Sequence, residues 1–244
     1  MNRLLTTLLA LAVASATGFA HAQAAPAASA AAPAQAAAPA ARPAQPASPK
    51  SLEAKVATCM GCHNIVGYQA SFPEIHKVPM IAGQSAAYIA AALTAYKNGD
   101  RKHPTMRGIA TALSEQDIKD IAGLYAQQGG TPAKREGKPS RDPNAKVAAL
   151  LQKAPACVSC HGSTYSNPID PSYPKIGGQH ADYLFVALKA YKTENNAALG
   201  RNNGIMAGIA KQFSNAELRE MAKYLASIDG DLQTIQSSRI HTRH

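Results

Sequence analysis

Two stretches decide how this chain is read: Cys59-Met60-Gly61-Cys62-His63 and Cys157-Val158-Ser159-Cys160-His161. Each is Cys-x-x-Cys-His, the attachment signature of haem c. Two thiols at i and i+3 lie on one side of a helical turn. They can add to the two vinyl groups along one porphyrin edge, and the next residue then swings its imidazole under the iron. A zinc site would gather all four cysteines round one metal, yet about ninety residues of separate sequence part the pairs. A thioredoxin-like dithiol lacks its βαβ setting. These are the only four cysteines, so none is spare for a disulfide framework. The cofactor expected is two covalently bound haem c groups, on Cys59 with Cys62 and on Cys157 with Cys160. His63 and His161 are the proximal ligands.

Outward from the motifs the chain repeats itself. The cysteine motifs are offset by 98 residues, and Pro79–Gln84 returns as Pro174–Gln179 at 95. Tyr88, Leu93, Tyr96 and Lys97 recur as Tyr183, Leu188, Tyr191 and Lys192, and Met106-Arg107-Gly108-Ile109-Ala110 returns at 100 as Met206-Ala207-Gly208-Ile209-Ala210. Helix-forming runs lead into both motifs, over Leu52–Cys62 and Ala145–Cys160, and further helices are expected over Ser85–Asn98 and Ala181–Thr193. Ser114 with Asp117, and Ser214 with Glu217, read as capping boxes that open a last helix in each half. Behind them run apolar stripes, Ile118, Ile121, Ala122, Tyr125 and Leu218, Met221, Ala222, Leu225. No stretch alternates as a sheet would, so the fold class is all-α, two tandem domains related by internal duplication.

The repeat also selects the sixth ligand. Met60 aligns with Val158, Met80 with Lys175 and Met221 with Ile121; only Met106 and Met206 align with each other, 43 and 45 residues beyond their histidines. Both are read in a glycine-containing loop ahead of a capped helix, with Met80 the rival in the first half. Histidine–thioether ligation leaves the iron no open position, which suits electron transfer and not an enzyme such as a peroxidase. His76 and His180 have no counterparts and His103 faces Asn203 in the repeat; these three are read as surface or haem-edge groups. Pro79 and Pro174 carbonyls are placed to accept from the proximal imidazoles. The Gly83-Gln84 and Gly178-Gln179 pairs are read as close backbone approaches to haem. Tyr96 and Tyr191 are either propionate partners or packed rings with a wet hydroxyl.

The net charge of +10 is concentrated outside the repeats. Residues 51–132 carry seven basic side chains against six acidic, and 147–232 eight against seven, whereas 133–146 carry five against two. No folded basic face is expected, which argues against nucleic acid as a partner. Residues 1–22 read as a signal peptide, with Asn2-Arg3, an apolar run and Ala20-His21-Ala22 before the cleavage point; an uncleaved anchor is the alternative. Residues 23–50 are an Ala/Pro-rich tether, 133–144 a linker, and 233–244 a polar tail holding His241 and His244. The domains are then 51–132 and 145–232, in a protein exported to the periplasm.

The combination of CMGCH and CVSCH, the P-x-I-[AG]-G-Q blocks, the Y-x-x-x-x-L-x-x-Y-K helices and M-x-G-I-A resembles the cytochrome c4 family over nearly all of Lys50–Leu232. The resemblance implies two class I cytochrome c domains whose haems approach at the domain interface. It also implies electron transfer from a quinol-oxidising complex to terminal oxidases, with ligands His63 and Met106, and His161 and Met206. Two departures are Asn64 where the second half has Gly162, and the long tether, which leaves association with a membrane open. The function expected is a periplasmic electron carrier of a respiratory chain. The alternative is a haem subunit of a larger dehydrogenase, such as a sulfide-oxidising flavocytochrome.

Overall fold

Each half is built from corresponding helices in the same order, the first of them divided in two in the second half. The computed structural model describes residues 49–129 and 138–236, with side chains from Leu52 onward. The signal segment, nearly all of the tether, residues 130–137 (the end of the first domain and the start of the linker) and the tail from 237, with His241 and His244, lie outside the described residues. The first half runs α1 (Pro49–His63), α2 (Ala86–Asn98), α3 (Pro104–Thr111) and α4 (Glu115–Gln127). The second runs α5 (Ala145–Lys153), α6 (Ala156–His161), α7 (Ala181–Lys192), α8 (Gly204–Ala210) and α9 (Asn215–Ser227). Packing repeats too: α1 lies on α4 as α5 lies on α9, and α2 packs on α3 and α4 as α7 packs on α8 and α9. No described helix is long and apolar enough to cross a membrane.

Local chemistry sets the helix ends. Ser85 is the N-cap of α2, accepting from the Tyr88 N–H, so this helix begins one residue later than the spacing predicts. Both capping boxes form: Ser114 and Asp117 exchange bonds at the start of α4, as do Ser214 and Glu217 at α9. The stripes behind them are buried, Ile121 at 2 % and Leu218 at 1 % exposure, and each organises its own apolar core. Burying such side chains contributes about 1.5–3 kcal/mol apiece.

The run Ala145–Cys160 is not one helix. It breaks between α5 and α6 at Ala154, whose φ of −127° and ψ of 65° are not helical. Pro155 follows, and its ring excludes the helical conformation from the residue before it. The methionine segments differ from expectation in the other direction. Met106 and Met206 lie within short helices, α3 and α8, and not in loops. Pro104 opens α3 at the position where a missing N–H costs nothing.

Four two-residue strands complete the architecture of the described residues. β1 (Gln69–Ala70) pairs with β2 (His76–Lys77) inside the first half. β3 (Arg101–Lys102) and β4 (Gly200–Arg201) pair antiparallel across the two halves, with Arg101 opposite Arg201. The Lys189–Glu74 ion pair (2.9 Å) also spans the halves. Beyond α9 the chain crosses back: Gln233 bridges to Ala82, and Ile235 packs on the first-half core. Residues 233–236, the start of the segment read as a tail, are therefore held against the first half.

Candidate haem site

Helix α1 carries Cys59, Cys62 and His63 along its last turn, and α6 carries Cys157, Cys160 and His161 along its own. All four thiols are free, and burial pushes those of Cys59 and Cys157 above the ordinary thiol value. The two histidines are held identically. His63 Nδ1 lies 2.8 Å from the Pro79 carbonyl and His161 Nδ1 lies 2.9 Å from the Pro174 carbonyl. A carbonyl only accepts, so each Nδ1 carries the proton and each Nε2 keeps its lone pair for a metal. Burial lowers both imidazole pKa values, opposed by the proline carbonyl in each case. Neutral rings are the form that ligates iron.

One continuous cavity of about 570 Å³ runs through both halves and is lined by all four cysteines and both histidines. Met106 and Met206 line it as well. Each methionine sits at the third position of its short helix, and its N–H donates to the side chain that caps that helix. The cap is His103 Nδ1 (3.4 Å) in the first half and Asn203 Oδ1 (2.9 Å) in the second. His103 and Asn203, only roughly matched in sequence, thus do the same job. Met80 lines the cavity too, but it directly follows the carbonyl that holds His63. That places its backbone beside the imidazole.

The remaining histidines are structural in this arrangement. His76 is buried at 4 % exposure, with Nδ1 2.8 Å from the Glu74 carbonyl and its ring 6.3 Å from that of Tyr183. Of the two readings the sequence offers, surface or haem edge, burial removes the first, and His76 lines the cavity. His180 precedes α7 without capping it through its side chain. Burial lowers the pKa of both His103 and His180.

The glycine pairs do something other than expected. Gly83 (φ +84°) meets the backbone of Gly129 and Asp231: a Cβ there would lie 2.3 Å from the Asp231 carbonyl oxygen. Gly178 (φ +76°) meets Gly230 in the same way. Neither glycine lines the cavity, so the close approach is backbone to backbone and not backbone to haem. The Asn64/Gly162 difference also has a local cause. Asn64 is buried and accepts from the Tyr125 hydroxyl at 3.2 Å, whereas the α9 position equivalent to Tyr125 is Leu225. At Gly162 the backbone adopts φ +82°, and a Cβ would lie 2.1 Å from the Asn167 carbonyl oxygen.

Sequence reasoning missed the arginines at the centre. Arg101 Nη2 donates to the Tyr88 hydroxyl and Arg201 Nη2 to the Tyr183 hydroxyl, both at 3.1 Å. Each guanidinium also lies over two rings, Arg101 over Tyr88 and Tyr96, Arg201 over Tyr183 and Tyr191, at 5.2 to 5.8 Å. Burial disfavours both charges, but the surrounding phenol oxygens outweigh it and hold both guanidinium groups protonated. Burial in turn lifts Tyr88 to about 12. Among the described residues neither arginine is ion-paired with a carboxylate. The offset of 100 that relates Met106 to Met206 also relates Arg101 to Arg201, and that was the available signal.

These residues fit haem c. Free thiols at i and i+3, an imidazole with its outer nitrogen available, thioethers on the same cavity, and half-buried cations at the cavity edge are the donor set that a haem with two carboxylates needs.

Comparison with known proteins agrees. The cytochrome c family model matches residues 145–229. The cytochrome c4 of Thiocapsa roseopersicina is 30 % identical over 188 residues, covering 72 % of this chain and 90 % of that one. The thiosulfate dehydrogenase electron acceptor of Stutzerimonas stutzeri (strain A1501) is 31 % identical over 182 residues, covering 70 % and 78 %. The crystal structure of reduced recombinant cytochrome c4 from Pseudomonas stutzeri superposes with a TM-score of 0.56 at 29 % identity, covering 74 % of this chain and 98 % of that one. Attachment motifs, duplicated all-α cytochrome c-like halves and full-length relatives converge, and the chain belongs to the cytochrome c4 family.

Proposed function

We propose that this chain is a periplasmic electron carrier with two covalently bound haem c groups, one in each half. Cys59, Cys62, Cys157 and Cys160 hold the porphyrins, His63 with Met106 ligates one iron, and His161 with Met206 the other. The domains are 51–132 and 145–232, joined by the linker 133–144 and preceded by a signal peptide cleaved after Ala22. The partners are redox proteins of a respiratory chain, a quinol-oxidising complex as donor and a terminal oxidase as acceptor. The observation that carries the reading is the doubled proximal arrangement, a Cys-x-x-Cys-His helix end with its imidazole fixed by a proline carbonyl, opening twice onto one cavity.

Bound haem supplies one-electron chemistry at iron. The protein's part is positional and electrostatic. Pro79 and Pro174 fix the tautomer and orientation of the imidazoles, so Nε2 points consistently at the metal position. Met106 and Met206 would supply the second ligand to each iron as soft thioethers, which favour the ferrous state and would leave no position for dioxygen or peroxide. Arg101 and Arg201 would offer N–H groups and charge to the carboxylates of a bound haem. Because one cavity serves both halves, haems held there would be close enough to pass an electron between them.

A second reading, an electron acceptor for a dehydrogenase of reduced sulfur compounds, draws on the similarity to the Stutzerimonas stutzeri acceptor. Stopped-flow reduction separates the two: a quinol-oxidising complex reduces the protein much faster than thiosulfate dehydrogenase does under the first reading, and the order reverses under the second. The ligand set is tested by the absorption spectrum of the oxidised protein. Its weak methionine–iron band falls by about half in Met106→Ala and in Met206→Ala, since each variant removes one of two equivalent thioethers. An unchanged band in either variant overturns that ligand. Edman sequencing of exported protein should begin at Gln23; a start at Met1 overturns the cleavage.

A further inference from the structure

The side chains of Gln84 and Gln179 each belong to one half and end in the other. Gln84 Nε2 donates to the Lys175 carbonyl at 3.0 Å, and its Oε1 accepts from the Lys175 N–H at 2.9 Å. Gln179 does the reciprocal thing to Met80, donating at 2.8 Å and accepting at 3.0 Å. Both amides are buried, at 3 % and 4 % exposure. Each Oε1 also accepts from the next residue's N–H, that of Ser85 at 3.1 Å or His180 at 3.0 Å.

The peptide groups they grip are already in use. The Lys175 N–H and the Pro174 carbonyl are two ends of one planar amide. Its nitrogen end donates to Gln84, and its oxygen accepts from His161 Nδ1 at 2.9 Å. In the first half the Met80 N–H donates to Gln179 while the Pro79 oxygen of the same amide accepts from His63 Nδ1 at 2.8 Å. Two hydrogen-bonded chains therefore cross the interface: Gln84 to the 174–175 amide to His161, and Gln179 to the 79–80 amide to His63.

The geometry points to crossed tuning of the two irons: Gln84 sets the electron donation of His161, and Gln179 that of His63. It rests on the proximal-ligand reading proposed above. An acceptor on an amide N–H drives electron density toward that amide's oxygen, and successive hydrogen bonds strengthen one another by about 10–30 %. A stronger acceptor at Nδ1–H gives the imidazole more imidazolate character, stabilises ferric iron and lowers the potential. A simple clamp between the halves would need only the Nε2 bonds; the Oε1 bonds fall on the one N–H in each half that shares its amide with the histidine acceptor. Gln84 and Gln179 are positioning residues in this scheme, since neither is placed to touch the iron.

The test uses the holoprotein, with Gln84→Leu and the mirror variant Gln179→Leu. Midpoint potentials are read by spectroelectrochemical titration, each iron being identified in a background carrying Met106→His or Met206→His. In the same samples, reduced and 15N-labelled, NMR reads the Nδ1–H resonances of His63 and His161. Gln84→Leu should raise the midpoint potential of the second-half iron alone by ~18 mV, a roughly twofold fall in its oxidised-to-reduced ratio at fixed potential, at 59 mV per tenfold for one electron. The His161 Nδ1–H should move upfield while that of His63 stays. Gln179→Leu should do the opposite, and Gln84→Met serves if the leucine variant loses a haem. A shift in the residue's own half, equal shifts in both irons, or no shift overturns the tuning. Fewer than two haems or no His/Met iron in the unsubstituted protein would instead overturn the ligand assignment, and the two failures are therefore distinct.

Discussion

Replacing Gly162 by alanine perturbs the turn that follows the second attachment motif. At φ +82° and ψ 159° the residue occupies a region that is essentially glycine-only, where a side chain costs about 1–3 kcal/mol. The added Cβ would also stand 2.1 Å from the Asn167 carbonyl oxygen. An ordinary carbon–oxygen contact is about 3.3 Å or more, so the strands of this loop must part by more than ~1 Å. Two hydrogen bonds close the loop, Tyr165 N–H to the Gly162 carbonyl at 3.0 Å and Ile169 N–H to the Cys160 carbonyl at 3.1 Å. Losing one or both adds about 1 kcal/mol each. The expected loss is thus about 2–5 kcal/mol. Urea unfolding of the holoprotein followed by circular dichroism gives the number, with Gly61→Ala as the internal control. Gly61 lies in α1 with nothing within 4 Å of a would-be Cβ, so alanine there should stabilise by about 0.5–1 kcal/mol. If Gly162→Ala costs less than about 1 kcal/mol, the steric account of the Asn64/Gly162 difference is wrong.

Two further outcomes follow from the charges. Arg101→Leu removes a half-buried cation from the cavity edge; one unit charge at about 10 Å in an effective dielectric of about 20 is worth roughly 1–2 kcal/mol, so the midpoint potential should fall, with the oxidised-to-reduced ratio at a fixed potential rising about tenfold, and a rise in potential on redox titration refutes it. Asp117 is held down to about 2 by the Lys55 ammonium and then by Ser114, against an ordinary 3.8. Because its folded pKa is depressed, its contribution to stability is complete above pH 3.8 and drains as pH falls through about 2. Asp117→Asn should cost about 0.5–1 kcal/mol at neutral pH and flatten the acid limb of the stability curve between those values; an unaltered limb in acid-unfolding titrations refutes the assignment.

Features governed by covalent spacing and local hydrogen bonding were legible in the sequence. Cys-x-x-Cys-His places two thiols and an imidazole on one helix end whatever surrounds them, and a capping box closes within four residues, so both read correctly. The α5/α6 break was legible in principle, because Pro155 imposes it locally. The methionine helices were hidden because residues 104–111 and 204–210 are short and glycine-containing, and their caps include a histidine, an unusual acceptor at that position.

Tertiary structure decided everything that depends on two distant segments meeting. Nothing near Gln84 in the chain foretells that its amide will grip Lys175, and nothing near Arg101 foretells the Tyr88 hydroxyl beneath it or Arg201 opposite it. The glycines at 83 and 178 announced a close approach, but only the packed fold shows that the approaching atoms are backbone from Gly129, Ile228, Gly230 and Asp231. Duplication explains the division. Each half repeats its local motifs because local physics acts on each copy alone, whereas the polar contacts between copies arise only once the two halves pack and exclude water from the groups between them.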